Sequence, residues 1–85
     1  MSTVGELRLA AHRYRANSVH RDWVSEEVAA HLLGLKEWQV RQQLRVPGLI
    51  PFDRSGCRVP GKTIAYHLQT LADWLNHIPG RGSGK

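Results

Sequence analysis

The side chains best suited to chemistry in this sequence lie between positions 36 and 45. Lys36, Trp38, Gln39, Arg41, Gln42 and Arg45 fall there within ten residues. Arg can donate two parallel hydrogen bonds to guanine, and Gln can pair in the same two-pronged way with adenine, on the major-groove edges of base pairs. On a helix, Trp38, Arg41, Gln42 and Arg45 share one face, while Val40 and Leu44 share the opposite one. The polar face carries no carboxylate, since Glu37 sits at its flank. An ordinary solvated helix mixes both signs, so this composition points to a polyanion. A second group of cations, Arg54, Arg58 and Lys62, lies in a turn-rich segment from which side chains would reach phosphates.

Other reactive residues support rival chemistry less well. The run from Gly56 to Thr63 reads Gly-Cys-Arg-Val-Pro-Gly-Lys-Thr and literally matches a phosphate-cradling G-x4-G-K-[ST] loop. Such a loop works between a strand and a helix of a sizeable parallel sheet, and 85 residues leave no room for that sheet or for its second carboxylate. His12, His20, His31, His67 and His77 share no ligand spacing, and one cysteine cannot build a structural zinc site. Cys57 beside Arg58 could ionise more readily than a free thiol, although a lone loop cysteine is ordinarily inert. No nucleophile stands beside a base. The expectation is a binding protein without catalytic residues, cofactor or metal.

Composition narrows the partner. Twelve Lys and Arg against seven Asp and Glu give a net charge of +5, which favours an acidic partner. A hydrophobic content of 41% argues against wholesale disorder. The single cysteine excludes an intrachain disulfide and suits a reducing cytoplasm. No apolar run reaches membrane-helix length and no signal-peptide core is visible, so a cytoplasmic protein without membrane contact is expected.

The elements that must hold these residues can be read from pattern. Residues 1–22 form a frayed arm or short helix docked on the domain, with Leu7, Leu9, Ala10, Ala11 and Tyr14 on one side and Arg8, Arg13 and Arg15 around them; a basic arm on DNA phosphates is the sharper alternative. Residues 23–77 form the main domain. Ser25 caps a helix that begins with Glu26 and Glu27. Val28, Ala29, Leu32 and Leu33 give it an apolar face, and Gly34 ends it. A second helix runs from about Lys36 to Arg45 and stops at Pro47-Gly48. Residues 49–68 read as a hairpin with Ile64, Tyr66 and Leu68 alternating, yet Ile64, Leu68, Leu71 and Leu75 also fit a helix, so the boundary stays open. A last helix covers residues 69–77, with Leu71, Trp74 and Leu75 inward, and residues 78–85 make a flexible tail.

Two short helices joined by a glycine turn form the unit that presents a helix to DNA. Ala30 is small where the helices cross, Gly34 tolerates positive φ, Leu35 plugs the core, and branched Val40 faces the first helix. Trp38 is expected to pack against the N-terminal segment. A helical hairpin acting as a protein-binding adaptor fits the same triad, and salt dependence separates the two.

The stretch from Trp23 to Lys36, then Gln39-Val40-Arg41, Leu49-Ile50-Pro51 and Leu71 to Leu75, resembles the excisionase and MerR-type winged helix-turn-helix family. The resemblance spans about residues 23–76. It implies a mainly α domain with a small β-hairpin wing, binding double-stranded DNA. For excisionases it also implies bending of attachment sites, tandem copies on DNA and a tyrosine integrase as partner. Arg41 falls on the family's recognition-helix arginine, Lys36 and Gln39 on its Ser and Thr, and Trp74 and Leu75 on the closing-helix pair. The wing from Asp53 to Lys62 is longer than the family's. The same fold serves phage and bacterial transcription regulators and small terminase subunits.

Overall fold

Thr3 starts helix α1 (Val4–Tyr14) with a reciprocal cap. Its hydroxyl accepts from the Glu6 amide at 3.1 Å, and the Glu6 carboxylate accepts from the Thr3 amide at 2.9 Å. Two donors that a helix start would leave unpaired are thereby satisfied. This computed structural model describes residues 3–77; the tail expected at 78–85 lies outside them.

Helix α1 is part of the domain rather than an arm beside it. Leu7 and Ala11 are buried in the common core, and α1 packs on α2 (Glu26–Leu33) and α4 (Leu68–His77). The apolar side expected there is narrower than the sequence suggests, because Leu9 is 53% exposed. Two of the three arginines are occupied by the domain. Arg8 makes a two-pronged contact with Asp22 at 2.8 and 3.0 Å, and Arg15 reaches Glu27 at 3.4 Å. The Arg8 guanidinium holds the Asp22 carboxyl below its ordinary pKa, chiefly by the hydrogen bond.

Arg21 and Asp22 both have positive φ, 54° and 67°, and form a two-residue turn. His20 and Trp23 close it with two backbone hydrogen bonds of 3.0 Å. That hand of turn matches strand twist but normally favours Gly or Asn. Here the Asp22 side chain is held by Arg8 and its carbonyl accepts from the Leu68 amide at 2.8 Å. The turn therefore joins α1, β1 (Trp23–Ser25) and the start of α4.

Strand β1 pairs antiparallel with β2 (Ala65–His67), Val24 opposite Tyr66. The residue pattern marks no strand at 23–25: three residues are too few to show alternation, and the third is already the helix cap. It also places the partner of β2 in a 49–68 hairpin. That hairpin reduces to two isolated bridges: Asp53 and Ala65 exchange backbone hydrogen bonds of 2.8 and 2.9 Å and enclose loop 54–64, and Val59 pairs with Lys62 inside it. Leu68 opens α4 rather than closing the strand. The result is a mainly α domain with a small antiparallel sheet. Its core combines Val24, Val28, Leu33, Val40, Tyr66, Leu68 and Leu71 with the inner face of α1. No described helix is long and apolar enough to cross a membrane.

Ser25 caps α2, its hydroxyl accepting from the Val28 amide at 3.4 Å. At the other end Gly34 adopts φ 74° and ψ 26°. The Leu35 amide then bonds the Ala30 carbonyl at 2.9 Å and the Gly34 amide bonds that of His31 at 3.2 Å, a closed helix end that needs a left-handed residue. A Cβ on Gly34 would meet nothing within 4 Å. The requirement is therefore conformational, not steric. Gly34→Ala is expected to lower stability by about 1 kcal/mol and Gly34→Asn by less, in urea unfolding. Equal, near-zero losses would show that the turn relaxes freely.

The second helix of the pair begins as α3 (Glu37–Gln39) and continues as a π-helical segment, Val40–Arg45. The expected α-helix over this stretch is thus wound more loosely in its second half, where the Val46 amide reaches back five residues to the Arg41 carbonyl at 2.8 Å. Val40 and Leu44 still face the core, at 0% and 5% exposure. Gly48, at φ 79°, closes this helix as Gly34 closes α2, with the Leu49 amide on the Leu44 carbonyl at 2.8 Å.

Candidate nucleic-acid interface

Burial of Ala30 and Val40 fixes which side of the second helix looks outward. Trp38, Arg41 and Gln42 lie exposed on that side, and Lys36 is exposed at the helix start. Trp38, expected to pack against the N-terminal segment, is 50% exposed. Gln39 has a local duty: its side-chain carbonyl accepts from the Lys36 amide at 2.8 Å and caps the helix start.

Arg45 does not belong to this face, and its assignment there is corrected. Its Nε donates to Glu26 Oε2 at 2.7 Å, and its side chain is only 20% exposed. The Tyr66 hydroxyl donates to the same oxygen at 2.7 Å. Tyr66 is fully buried, and burial together with the neighbouring carboxylate pushes its phenol far above the ordinary range. Glu26 is itself 9% exposed. A carboxylate that deep needs a countercharge, and the widened helical segment supplies one from its last residue. Glu26, expected only to oppose the helix dipole, thus joins the start of α2 and the middle of β2 to the end of the second helix. No local signal could have found this, because the partners lie 19 and 40 residues from Glu26.

The 54–64 loop is ordered from its base. The Asp53 carboxylate accepts from the Ser55 amide at 2.7 Å and from Arg58 Nε at 3.2 Å. The Ser55 bonds, then Arg58, hold its pKa below the usual carboxylate value. The Arg58 guanidinium also lies over the Trp23 ring, 4.6 Å from its centroid, and Val59 is buried. Arg58 therefore fastens the loop to β1 and keeps only half of its side chain in water. Arg54 lies over Phe52 at 5.4 Å, and Arg45 lies over the same ring at 5.8 Å. Phe52 thus carries Arg54 to the end of the second helix. Lys62 is exposed and borders a surface cleft shared with Glu26 and Glu37, near the start of that helix. The Gly56–Thr63 run is an irregular loop with a turn closed by Val59 and Lys62, and it leads into β2 rather than into a helix.

Among the described residues, ion pairs occupy Arg8, Arg15, Arg45 and Arg58. Of the cations expected to meet a ligand, Lys36, Arg41, Arg54 and Lys62 have no acidic partner there. The described residues contain no group of three or more His, Cys, Asp or Glu placed to hold a metal ion. Cys57 is exposed, its thiol 3.8 Å from the Ser55 carbonyl. Comparison with protein-family models, with curated proteins and with solved structures finds no match to this chain.

Proposed function

We propose that this protein binds double-stranded DNA as a winged helix-turn-helix, with the second helix in the major groove and the 54–64 loop as the wing on the adjacent backbone. One observation carries the reading. Trp38, Arg41 and Gln42 stand exposed on a helix whose other side is locked into the core, Lys36 stands exposed at its start, and among the described residues no acid pairs with either cation. Donors left free in this way match the major-groove edges and phosphates that such helices contact. Arg54 and Lys62 extend the free positive charge to either end of the helix. Within the family it resembles, which also includes transcription regulators and small terminase subunits, the role proposed is that of an excisionase that shapes attachment-site DNA and steers a tyrosine integrase toward excision.

The test is salt. Three free cations on phosphates, Lys36, Arg54 and Lys62, with Arg41 on a base edge, predict that the logarithm of the affinity falls against the logarithm of salt concentration with a slope of about −3. An affinity for duplex DNA indifferent to salt would replace this reading with that of a protein-binding adaptor. A gel shift comparing an attachment site with the protein's own promoter then separates excision from transcriptional control.

A further inference from the structure

The three tryptophans are held differently. Trp23 lies under the Arg58 guanidinium, 4.6 Å from its ring centroid, and meets the His67 ring edge-on at 5.0 Å. Trp74 packs against the core. Trp38 is 50% exposed. Among the described residues its ring has no aromatic neighbour and no cation over its face, and its indole N–H has no acceptor. It stands in the first turn of the second helix, one turn before Arg41 and Gln42 and on their side. The first turn of a helix in the major groove is the part that reaches base edges. On the DNA reading above, on which this inference rests, Trp38 is therefore set against a base pair.

The chemistry of the indole selects which base. Its one polar atom only donates, and the rest of the ring system is apolar. It cannot accept from the amino groups that adenine and cytosine present in the major groove. Guanine presents two acceptors and no apolar group there. Thymine alone presents an acceptor, O4, beside a methyl group. We infer that Trp38 reads a thymine, its ring against the 5-methyl group, next to the base pairs met by Arg41 and Gln42. Those two residues offer hydrogen bonds, which suit guanine and adenine. The indole adds the apolar contact that they lack, and with it discrimination at a further position.

The probe is a duplex selected by the full chain from a random-sequence pool. Each thymine in it is replaced singly by 2′-deoxyuridine, which pairs in the same way and keeps O4 but lacks the methyl group. At one position the parent should lose about fourfold in affinity, the worth of one buried methyl group. Trp38→Ala should bind the thymine duplex more weakly and no longer distinguish thymine from uracil at that position. Trp38→Phe keeps an apolar ring and should keep the distinction. Each comparison sets two duplexes against one protein, so a change in folding cancels. If no duplex is enriched, the DNA reading falls and this inference with it. If the enriched duplex is bound equally with thymine or uracil at every position, or if Trp38→Ala keeps the preference, the role of Trp38 is overturned and the DNA reading stands. Tighter binding to the separated strands than to the duplex also overturns it, because the ring would then stack on an unpaired base.

Discussion

Replacing Glu26 by Ala is expected to cost about 2–4 kcal/mol of folding stability. Its Oε2 accepts from both Arg45 and Tyr66 at 2.7 Å. Removal leaves the Tyr66 hydroxyl without its acceptor in a fully buried setting, a desolvation cost of about 1–3 kcal/mol. It also leaves a guanidinium with only 20% of its side chain in water. Breaking a fully buried pair costs about 3–5 kcal/mol, and the partial access of Arg45 to solvent reduces that figure. A domain of this size is stable by about 5–10 kcal/mol. The variant should therefore stay folded at low temperature but melt roughly 10–25 °C lower.

The partners allow the result to be apportioned. Tyr66→Phe removes one donor and leaves the ion pair, so a loss of about 1 kcal/mol is expected. Glu26→Leu with Arg45→Met removes both charges and should recover most of the loss, because burying an ion pair carries its own desolvation penalty. With the single changes Glu26→Leu and Arg45→Met added, thermal and urea unfolding complete a double-mutant cycle. If Glu26→Ala melts within a few degrees of the parent, the triad is a bystander and the second helix is held by Val40 and Leu44 alone.

The triad also marks where sequence reading stops. Ser25, Gly34, Ala30 and Val40 were legible because each meets a need set by its own few neighbours: a cap, a left-handed turn, a close crossing, an apolar face. Strand β1 was not, because three residues cannot display a period of two and because its partner lies some 40 residues away. Arg45 was read as outward because a regular helix carries it on the same stripe as Arg41 and Gln42. The π-helical winding and the buried Glu26 take it inward, and neither is written in the local pattern. Arg58 follows the same logic. Composition marks it as a free loop cation, yet Trp23 and Asp53 hold it. In a basic chain, which cations remain free is decided by where the few acids fold, and that is a tertiary fact. Arg41, Lys36 and Gln42 keep their assigned exposure because no acid reaches them.

This difference makes Arg41 and Arg45 a matched pair for the last prediction. Arg41→Ala should leave stability within about 0.5 kcal/mol of the parent, as expected for an exposed side chain without partners. It should weaken binding to a specific duplex by about 1–3 kcal/mol and relax preference at one base position. If Arg41 meets a phosphate instead, the loss will be uniform across sequences and the salt slope will shrink by about one. Arg45→Ala should do the reverse. It strands Glu26 and destabilises the fold by about 2–4 kcal/mol, while the folded fraction keeps the parent's sequence preference. Fluorescence anisotropy on one duplex and its single-base variants, at a temperature where both proteins are folded, reads the two together. The assignment of the outer face fails if Arg41→Ala binds as tightly and as selectively as the parent while Arg45→Ala loses selectivity. In that case the buried ion pair must open on DNA, and the helix would read bases with the residue that now secures it to the core.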